Sequence, residues 1–207
     1  MVISFIGNNY YDIFLLTLGV FVSQYRKVLV VDHNTEDWLS ESLDKPLRLS
    51  GVGEIVTYEH FDYTDVELND HWSKVYDVIM IDGGNDENKS DNKITDYSIL
   101  VSDGRLPAVK KITTLYESRK SELKQKYVTC FLRNVMQGDN SLRYLQKYLK
   151  ERIDLNHLFL VEINELDQKN LYRAAITGKI GIKMASRTMK NSVFSLTDDI
   201  LEVVNNG

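Results

Sequence analysis

The sequence is poor in cysteine and contains no standard nucleophile motif. Its single cysteine, Cys130, rules out a disulfide within the 207 residues, and a reducing compartment is expected. Cys130 lies in a predicted strand, where a free thiol is usually buried. The four histidines are dispersed, without cysteine or a tight carboxylate cluster beside them, which argues against a metal site. There is no Gly-x-Ser-x-Gly sequence, so a hydrolase of that kind is not indicated.

The sequence also lacks an excess of positive charge. Its net charge is −5, so the chain as a whole offers no electrostatic driving force for nonspecific nucleic-acid binding, and no nucleic-acid partner is expected. The apolar share of 43% and the charged share of 27% are ordinary for a soluble globular protein. A length of 207 residues suits one domain with a full core, so we expect residues 1–207 to form a single domain.

No apolar run is long enough to span a bilayer. The longest, residues 13–22, has ten residues, whereas a membrane helix needs about 20. It follows a strand-like segment and lacks a basic n-region, so it is interpreted as a buried helix and not a signal peptide. Asp198, Asp199 and Glu202 make the C-terminal helix unlike a basic membrane-targeting helix. A cytoplasmic protein without direct membrane insertion is therefore expected.

The chain does contain an alternation of strands and helices. Apolar, β-branched runs predict strands at 2–6, 28–31, 75–82, 98–101, 127–132 and 158–161, with a further candidate at 55–58. Helical spacing predicts helices at 13–22, 107–123, from about 141, 166–175 and 193–204, and a short one after Thr35. Residues 59–73 have no clear period. The alternation predicts an α/β fold with a mostly parallel sheet and helices on both faces.

The start of the chain points to nucleotide binding but lacks a cation. Gly7-Asn8-Asn9 forms a turn between the first strand and the first helix, where phosphate-binding loops lie. Asp32 and Asp82 each end a buried strand and are candidates for a metal-and-water site or for loop-shaping acceptors. No lysine or arginine precedes Arg26.

In order and spacing these landmarks resemble the ParA/MinD-type ATPases, the deviant Walker (SIMIBI) branch of the P-loop proteins. Residues 28–32 look like the family's second-strand acidic motif, although Asn34 stands where a second acid is usual. Residues 76–82, followed by two glycines, look like its Walker B segment. Residues 132–135 resemble the strand end at which an asparagine, here Asn134, reads the purine base. The resemblance covers nearly the whole chain and implies a P-loop NTPase architecture.

The family's Walker A loop is degenerate here. Counting back from Asp32 without gaps, Tyr10 takes the place of the phosphate-binding lysine and Tyr11 that of the magnesium-binding hydroxyl residue. Phe5 takes the place of the second lysine, and of the glycines only Gly7 remains. The resemblance therefore implies a pseudo-ATPase with vestigial Asp32 and Asp82 and no expected cofactor. The alternative is a weak ATPase that binds ATP and magnesium.

Several functional interpretations follow from the resemblance. Degenerate loops occur in the family's TadZ/CpaE pilus-assembly branch. The resemblance therefore implies a localisation or scaffold subunit that works through protein contacts in a membrane-associated pilus, secretion or partition machine. It also allows a homodimer. The predicted protein interface consists of Tyr10, Tyr11, Phe14 and Tyr25, which could instead fill the nucleotide space. In the ATPase alternative, Gly7, Asn8, Asn9 and Asn134 would contact the nucleotide. A basic stretch, Lys179, Lys183, Arg187 and Lys190, could supply charge or be a solvated loop.

A third interpretation is a receiver-like signalling domain, because the strands ending at Asp32 and Asp82 also resemble that fold.

Overall fold

A computed structural model describes fourteen parts of the chain. They are residues 1–7, 12–33, 55–58, 60–66, 68, 71–83, 95–102, 107, 110–111, 113–114, 126–134, 158–177, 183 and 185–206. The predicted short helix after Thr35 and the predicted helix from about 141 lie outside these residues, as do Asn34 and Lys179.

Eight strands form one sheet. In chain order they are β1 (Val2–Gly7), β2 (Val28–Asp32), β3 (Val56–Thr57), β4 (Asp62–Thr64), β5 (Val78–Asp82), β6 (Tyr97–Ser102), β7 (Lys126–Asn134) and β8 (Leu158–Ile163). Their order across the sheet is β3-β4-β2-β5-β1-β6-β7-β8. All neighbouring pairs are parallel except β3 and β4, which are antiparallel. The predicted α/β fold with a mostly parallel sheet is confirmed.

The described helices are α1 (Asp12–Val22), α2 (Glu165–Thr177) and α3 (Arg187–Asn206), with a 3-10 turn at Trp72–Lys74. Residues 107, 110–111 and 113–114 are also helical, as the proline at the start of the predicted helix indicated. Helix α3 packs against α1 and β8. None of the helices in the described ranges combines the length and apolar character needed to cross a bilayer.

Side chains alternate between the two faces of the sheet, and each face has its own core. The larger core joins one set of strand residues, among them Phe5, Val30 and Met80, to the apolar residues of α1 and α3. The smaller core, on the opposite face, packs Leu29, Val31, Ile79 and Ile81 against Trp72 and Tyr76. A strand buried on both faces is apolar throughout, which is why these segments were recognisable in the sequence.

Two predicted boundaries are wrong for local reasons. Strand β5 begins at Val78 and not at Val75, because the amides of Val75 and Tyr76 bond back to Trp72 O (3.0 and 2.9 Å) in the 3-10 turn. Helix α3 begins at Arg187, six residues before the predicted start. Ser186 caps it, its Oγ accepting from the Met189 amide at 3.1 Å. Lys190 and Arg187 therefore belong to this helix and not to a basic loop.

Strand β4 was not predicted. It contains only three residues, Asp62–Thr64, in a polar stretch without a clear period. It forms because it lies beside β2, where Leu29 pairs with Asp62 and Val31 with Thr64. The strand order also corrects the receiver-like interpretation. In the receiver fold β2 lies directly beside β1, whereas here β5 separates them.

Candidate functional site

The candidate site lies at the edge where the parallel strands end. Strand β1 is central: the chain reaches β5 on one side of it and β6 on the other. In open α/β sheets, ligands bind at such a switch point, outside the carboxyl ends of the strands. Gly7, Asp32, Asp82 and Asn134 are the last residues of β1, β2, β5 and β7. The sheet thus brings these four predicted positions to one edge.

Two glycines let main chains approach closely at this edge. A Cβ atom added at Gly7 would lie 2.0 Å from the Val101 carbonyl oxygen on β6. A Cβ added at Gly83 would lie 2.9 Å from Phe5 O, the oxygen that accepts the Gly83 amide at 2.9 Å. A larger residue at position 7 would push β1 away from β6. The predicted turn glycine is therefore required by the sheet itself, whether or not a ligand binds.

Asp32 and Asp82 lie side by side on the adjacent strands β2 and β5. They pair in register, so their Cα atoms lie about 4.8 Å apart, the usual strand spacing. By alternation both side chains lie on the face of the sheet that carries α1. Both are buried, at 5% and 0% exposure. Two carboxyl groups are thus held together at the switch-point edge.

Tyr63 is a member of the site that sequence reasoning missed. Its hydroxyl donates to Asp32 Oδ2 at 3.0 Å, and its side chain is 1% exposed. Burial, and then the charge of Asp32, raise the pKa of Tyr63 well above its usual value, so the hydroxyl remains a donor. The apolar-polar alternation of residues 61–64 was the signal that could have identified this strand.

The first cations of the chain lie at the opposite edge of the sheet. Helix α1 has eleven residues and is therefore about 16 Å long, and Arg26 follows its far end. The Arg26 guanidinium donates to Tyr25 O at 3.0 Å and to the Asn205 side-chain oxygen. Lys27 bonds through its backbone amide to Asp77, just before β5. Neither side chain is placed to reach the loop that follows Gly7.

The predicted protein interface is not one surface. Phe14 is fully buried and packs edge-on against Phe5, with ring centroids 6.2 Å apart, so its assignment to an exposed interface is wrong. Tyr25 is 53% exposed but lies beyond the far end of α1. Tyr10 and Tyr11, like Asn8 and Asn9, lie outside the described residues.

The remaining predicted positions are only partly described. Asn134 is opposite Ile163 in the register of β7 and β8, two strands from β1. In the basic stretch, Lys190 Nζ donates to Lys183 O at 3.2 Å, and Arg187 is exposed. Within the described ranges, no three histidine, cysteine or acidic side chains are placed to hold a metal ion.

Comparison with known proteins identifies the fold. No family model and no curated protein matches the sequence. Solved structures do match. A ParA family ATPase from Chlorobium tepidum TLS has a TM-score of 0.72 at 12% identity, covering 95% of this chain and 98% of its own. The MinC:MinD cell division protein complex of Aquifex aeolicus gives 0.73 at 12% identity, with 97% and 96% covered.

A third similar structure contains a nucleotide analogue. A plasmid partition protein of Borrelia burgdorferi B31 bound to AMPPNP gives a TM-score of 0.64 at 15% identity, covering 97% of this chain and 98% of its own. Identities this low establish the fold and not the activity. The chain has the ParA/MinD-type ATPase fold over nearly its whole length.

Proposed function

We propose that this protein is a ParA/MinD-fold pseudo-ATPase that acts as a localisation or scaffold subunit through protein contacts. The observation that carries the proposal is the absence of a cation near the candidate site. No lysine or arginine occurs before Arg26, and Arg26 lies at the opposite edge of the sheet from Gly7, Asp32 and Asp82. The nucleotide edge therefore receives no cation from the β1–α1 unit, which supplies the phosphate lysine in the family that this chain resembles.

The consequence for ATP follows from charge. A nucleoside triphosphate carries about four negative charges, which backbone N–H groups and a lysine normally compensate. Here the same edge already holds two buried carboxyl groups, Asp32 and Asp82, and Asp12 begins α1. Without an ammonium group, the cost of desolvating the phosphates is poorly offset. Weak or absent nucleotide binding is the expected outcome.

A protein partner fits this fold without nucleotide chemistry. One structure similar to this chain comes from a MinC:MinD cell division protein complex, and another is a plasmid partition protein. By analogy we propose that this chain places a partner, such as a subunit of a membrane-associated pilus, secretion or partition machine. A homodimer is compatible with the proposal. These partners are proposed from the likeness of fold alone, because the charges at the candidate site bear only on nucleotide binding.

The alternative function is a weak ATPase. It is favoured by the retention of Gly7, Asp32 and Asp82 at the switch-point edge. In that case Asp32 and Asp82 would hold magnesium or its waters, Asn134 would contact the base, and a lysine would come from another element or a second subunit.

Calorimetric titration with ATP and magnesium separates the two functions. The scaffold proposal expects no heat of binding at millimolar nucleotide and no phosphate release. A double variant, Tyr10→Lys with Tyr11→Thr, tests the reason, because it should gain measurable nucleotide binding if the missing cation is the cause. Micromolar ATP binding by the unaltered chain, abolished in a folded Asp82→Asn variant, would establish the ATPase instead.

A further inference from the structure

Helix α3 has one buried side and one side that faces outward. The buried side packs into the larger core through four apolar residues, Met189, Val193, Leu196 and Ile200. The opposite side carries five residues that all lie within about 60° of the line through Arg187, namely Arg187, Lys190, Phe194, Asp198 and Glu202. Lys190 is half-buried and the other four are exposed. These five residues form what we call the α3 outer face, which includes no residue of the candidate site.

The charges of the α3 outer face run against the helix dipole. Arg187 and Lys190 lie at the start of the helix, where the dipole is positive, and the first turn contains no acidic residue. Asp198 and Glu202 lie in the second half of the helix, and the last turn contains no basic residue. A solvated face that served only the stability of the helix would carry the opposite order of charge. The arrangement therefore calls for a partner that this helix does not supply.

The four charges are not neutralised within the part of the chain that the structure describes. The Lys190 ammonium donates to a neutral acceptor, the Lys183 carbonyl oxygen, at 3.2 Å. Among the described residues no ion pair includes Arg187, Asp198 or Glu202. Two positive charges at one end of the face and two negative charges at the other are thus available to another molecule.

An exposed aromatic ring lies between the two charged ends. Phe194 is 50% exposed, although a phenylalanine ring has no polar group that favours contact with water. It lies seven residues after Arg187 and eight residues before Glu202, so it marks the middle of the face. An apolar centre with charged ends is the usual composition of a protein interface.

The order of these residues makes the α3 outer face complementary to a second copy of itself. Two such helices can lie antiparallel about a twofold axis near Phe194. To within about one residue, or 1.5 Å of rise, Arg187 is then level with Glu202 of the partner subunit, and Lys190 is level with Asp198 of the partner subunit. By symmetry each pair of opposite charges occurs twice, and the two Phe194 rings meet at the axis.

We propose that this protein forms a homodimer, without nucleotide, in which two α3 outer faces pack antiparallel. Other occupants match less of the face. An anionic lipid surface would be repelled by its acidic half, and a partner of one charge would pair with only one end. The proposal goes beyond the proposed function, which allows a homodimer and assigns no surface to it.

Sedimentation equilibrium of the full chain in the absence of nucleotide tests the proposal. Helix α3 has 20 residues and is about 30 Å long, so one helix pair makes a small interface, and we expect a weak dimer whose population rises with protein concentration. Arg187→Glu and Glu202→Arg should each raise the Kd at least about tenfold, because each turns two attractive pairs into two repulsive ones. Added salt should also raise the Kd of the unaltered chain.

Mixing the two charge variants separates a contact between subunits from a change within one chain. The Arg187→Glu chain carries acidic residues at both positions, and the Glu202→Arg chain carries basic residues at both. An equimolar mixture should therefore form a heterodimer with a Kd close to that of the unaltered dimer. Both substitutions introduce the charge that the helix dipole favours, so each chain should remain folded, which urea unfolding checks.

The aromatic centre is tested by Phe194→Ala, which should raise the Kd by about tenfold because it removes the ring at the axis. Leu166→Ala is the matched control, since Leu166 is 52% exposed on α2 and the Kd should stay unchanged. Lys74→Glu is the control for charge. It reverses an exposed charge in the 3-10 turn, and the Kd should again stay unchanged.

Three results would overturn the proposal. They are a chain that remains monomeric at millimolar concentration, a dimer whose Kd is the same in Arg187→Glu and Glu202→Arg as in the unaltered chain, and a mixture of these variants that stays monomeric. A dimer that forms only after ATP and magnesium are added would place the contact elsewhere and would also refute it. Because the measurement contains no nucleotide, the dimer can fail while the pseudo-ATPase proposal stands, and calorimetry with ATP can refute that proposal while the dimer stands.

Discussion

The hydrogen bond between Tyr63 and Asp32 gives the sharpest test of how the nucleotide edge is built. Both side chains are at least nine-tenths buried, and the hydroxyl lies 3.0 Å from a carboxylate oxygen. Tyr63→Phe removes the donor and leaves the ring in place, so a buried charged acceptor loses a partner. We expect the free energy of unfolding to fall by about 2–3 kcal/mol, in the range for hydrogen bonds to charged groups.

A double-mutant cycle isolates this bond from the other contacts of the two residues. Asp32→Asn keeps the shape of the side chain and removes its charge. Combined with Tyr63→Phe, it should give a coupling energy of about 1.5 kcal/mol. Unfolding in urea, followed by far-ultraviolet circular dichroism, supplies the four free energies.

The matched control repeats the cycle with Tyr76→Phe in place of Tyr63→Phe. Tyr76→Phe also deletes a hydroxyl bonded to a carboxylate, that of Asp62 at 2.8 Å, but it lies on the other face of the sheet and away from Asp32. With Asp32→Asn it should be additive within about 0.5 kcal/mol. If Tyr63→Phe and Asp32→Asn were equally additive, Tyr63 would not orient the carboxylate, and the description of this edge would be wrong.

Two further predictions concern a close approach and a tyrosine pKa. Gly7→Ala should destabilise the protein by more than about 3 kcal/mol or prevent folding, because its Cβ would lie 2.0 Å from a main-chain oxygen. Gly19→Ala, whose Cβ would have its nearest neighbours at 3.8 Å inside α1, should raise the free energy of unfolding by about 0.5–1 kcal/mol; equal effects of the two substitutions in urea unfolding would contradict the packing described at β1. Burial and then the bond to Asp62 raise the pKa of Tyr76 to about 12. A raised pKa stabilises the fold below the unfolded pKa of about 10, and this contribution is lost as the pH rises to the folded pKa. The stability of the unaltered chain relative to Tyr76→Phe should therefore fall between pH 10 and about 12 in unfolding measured against pH. An advantage that persists unchanged above that range would refute the cause assigned to the shift.

The amino-acid sequence by itself determined the strands that are buried on both faces. Residues 28–31 are an uninterrupted apolar run, and residues 98–101 are apolar after Ser98. The two segments lie in β2 and β6 as predicted, because a strand covered by a layer on each face is mostly apolar. The absence of any cation before Arg26 was likewise a property of sequence alone. This absence does not depend on the fold, since no arrangement of these 25 residues can supply an ammonium side chain.

Tertiary structure decided what depends on contacts distant in sequence. Strand β4 is too short and polar to be recognised, yet it pairs with β2 and places Tyr63 against Asp32, 31 residues earlier. The aromatic residues Phe14 and Tyr25 look equivalent in sequence, but Phe14 lies in the core and Tyr25 is exposed. The reason is that α1 packs against the sheet and α3, whereas Tyr25 lies beyond the end of α1. Local patterns determine which segments are apolar, and only the packing of those segments determines which side chains remain accessible to a partner.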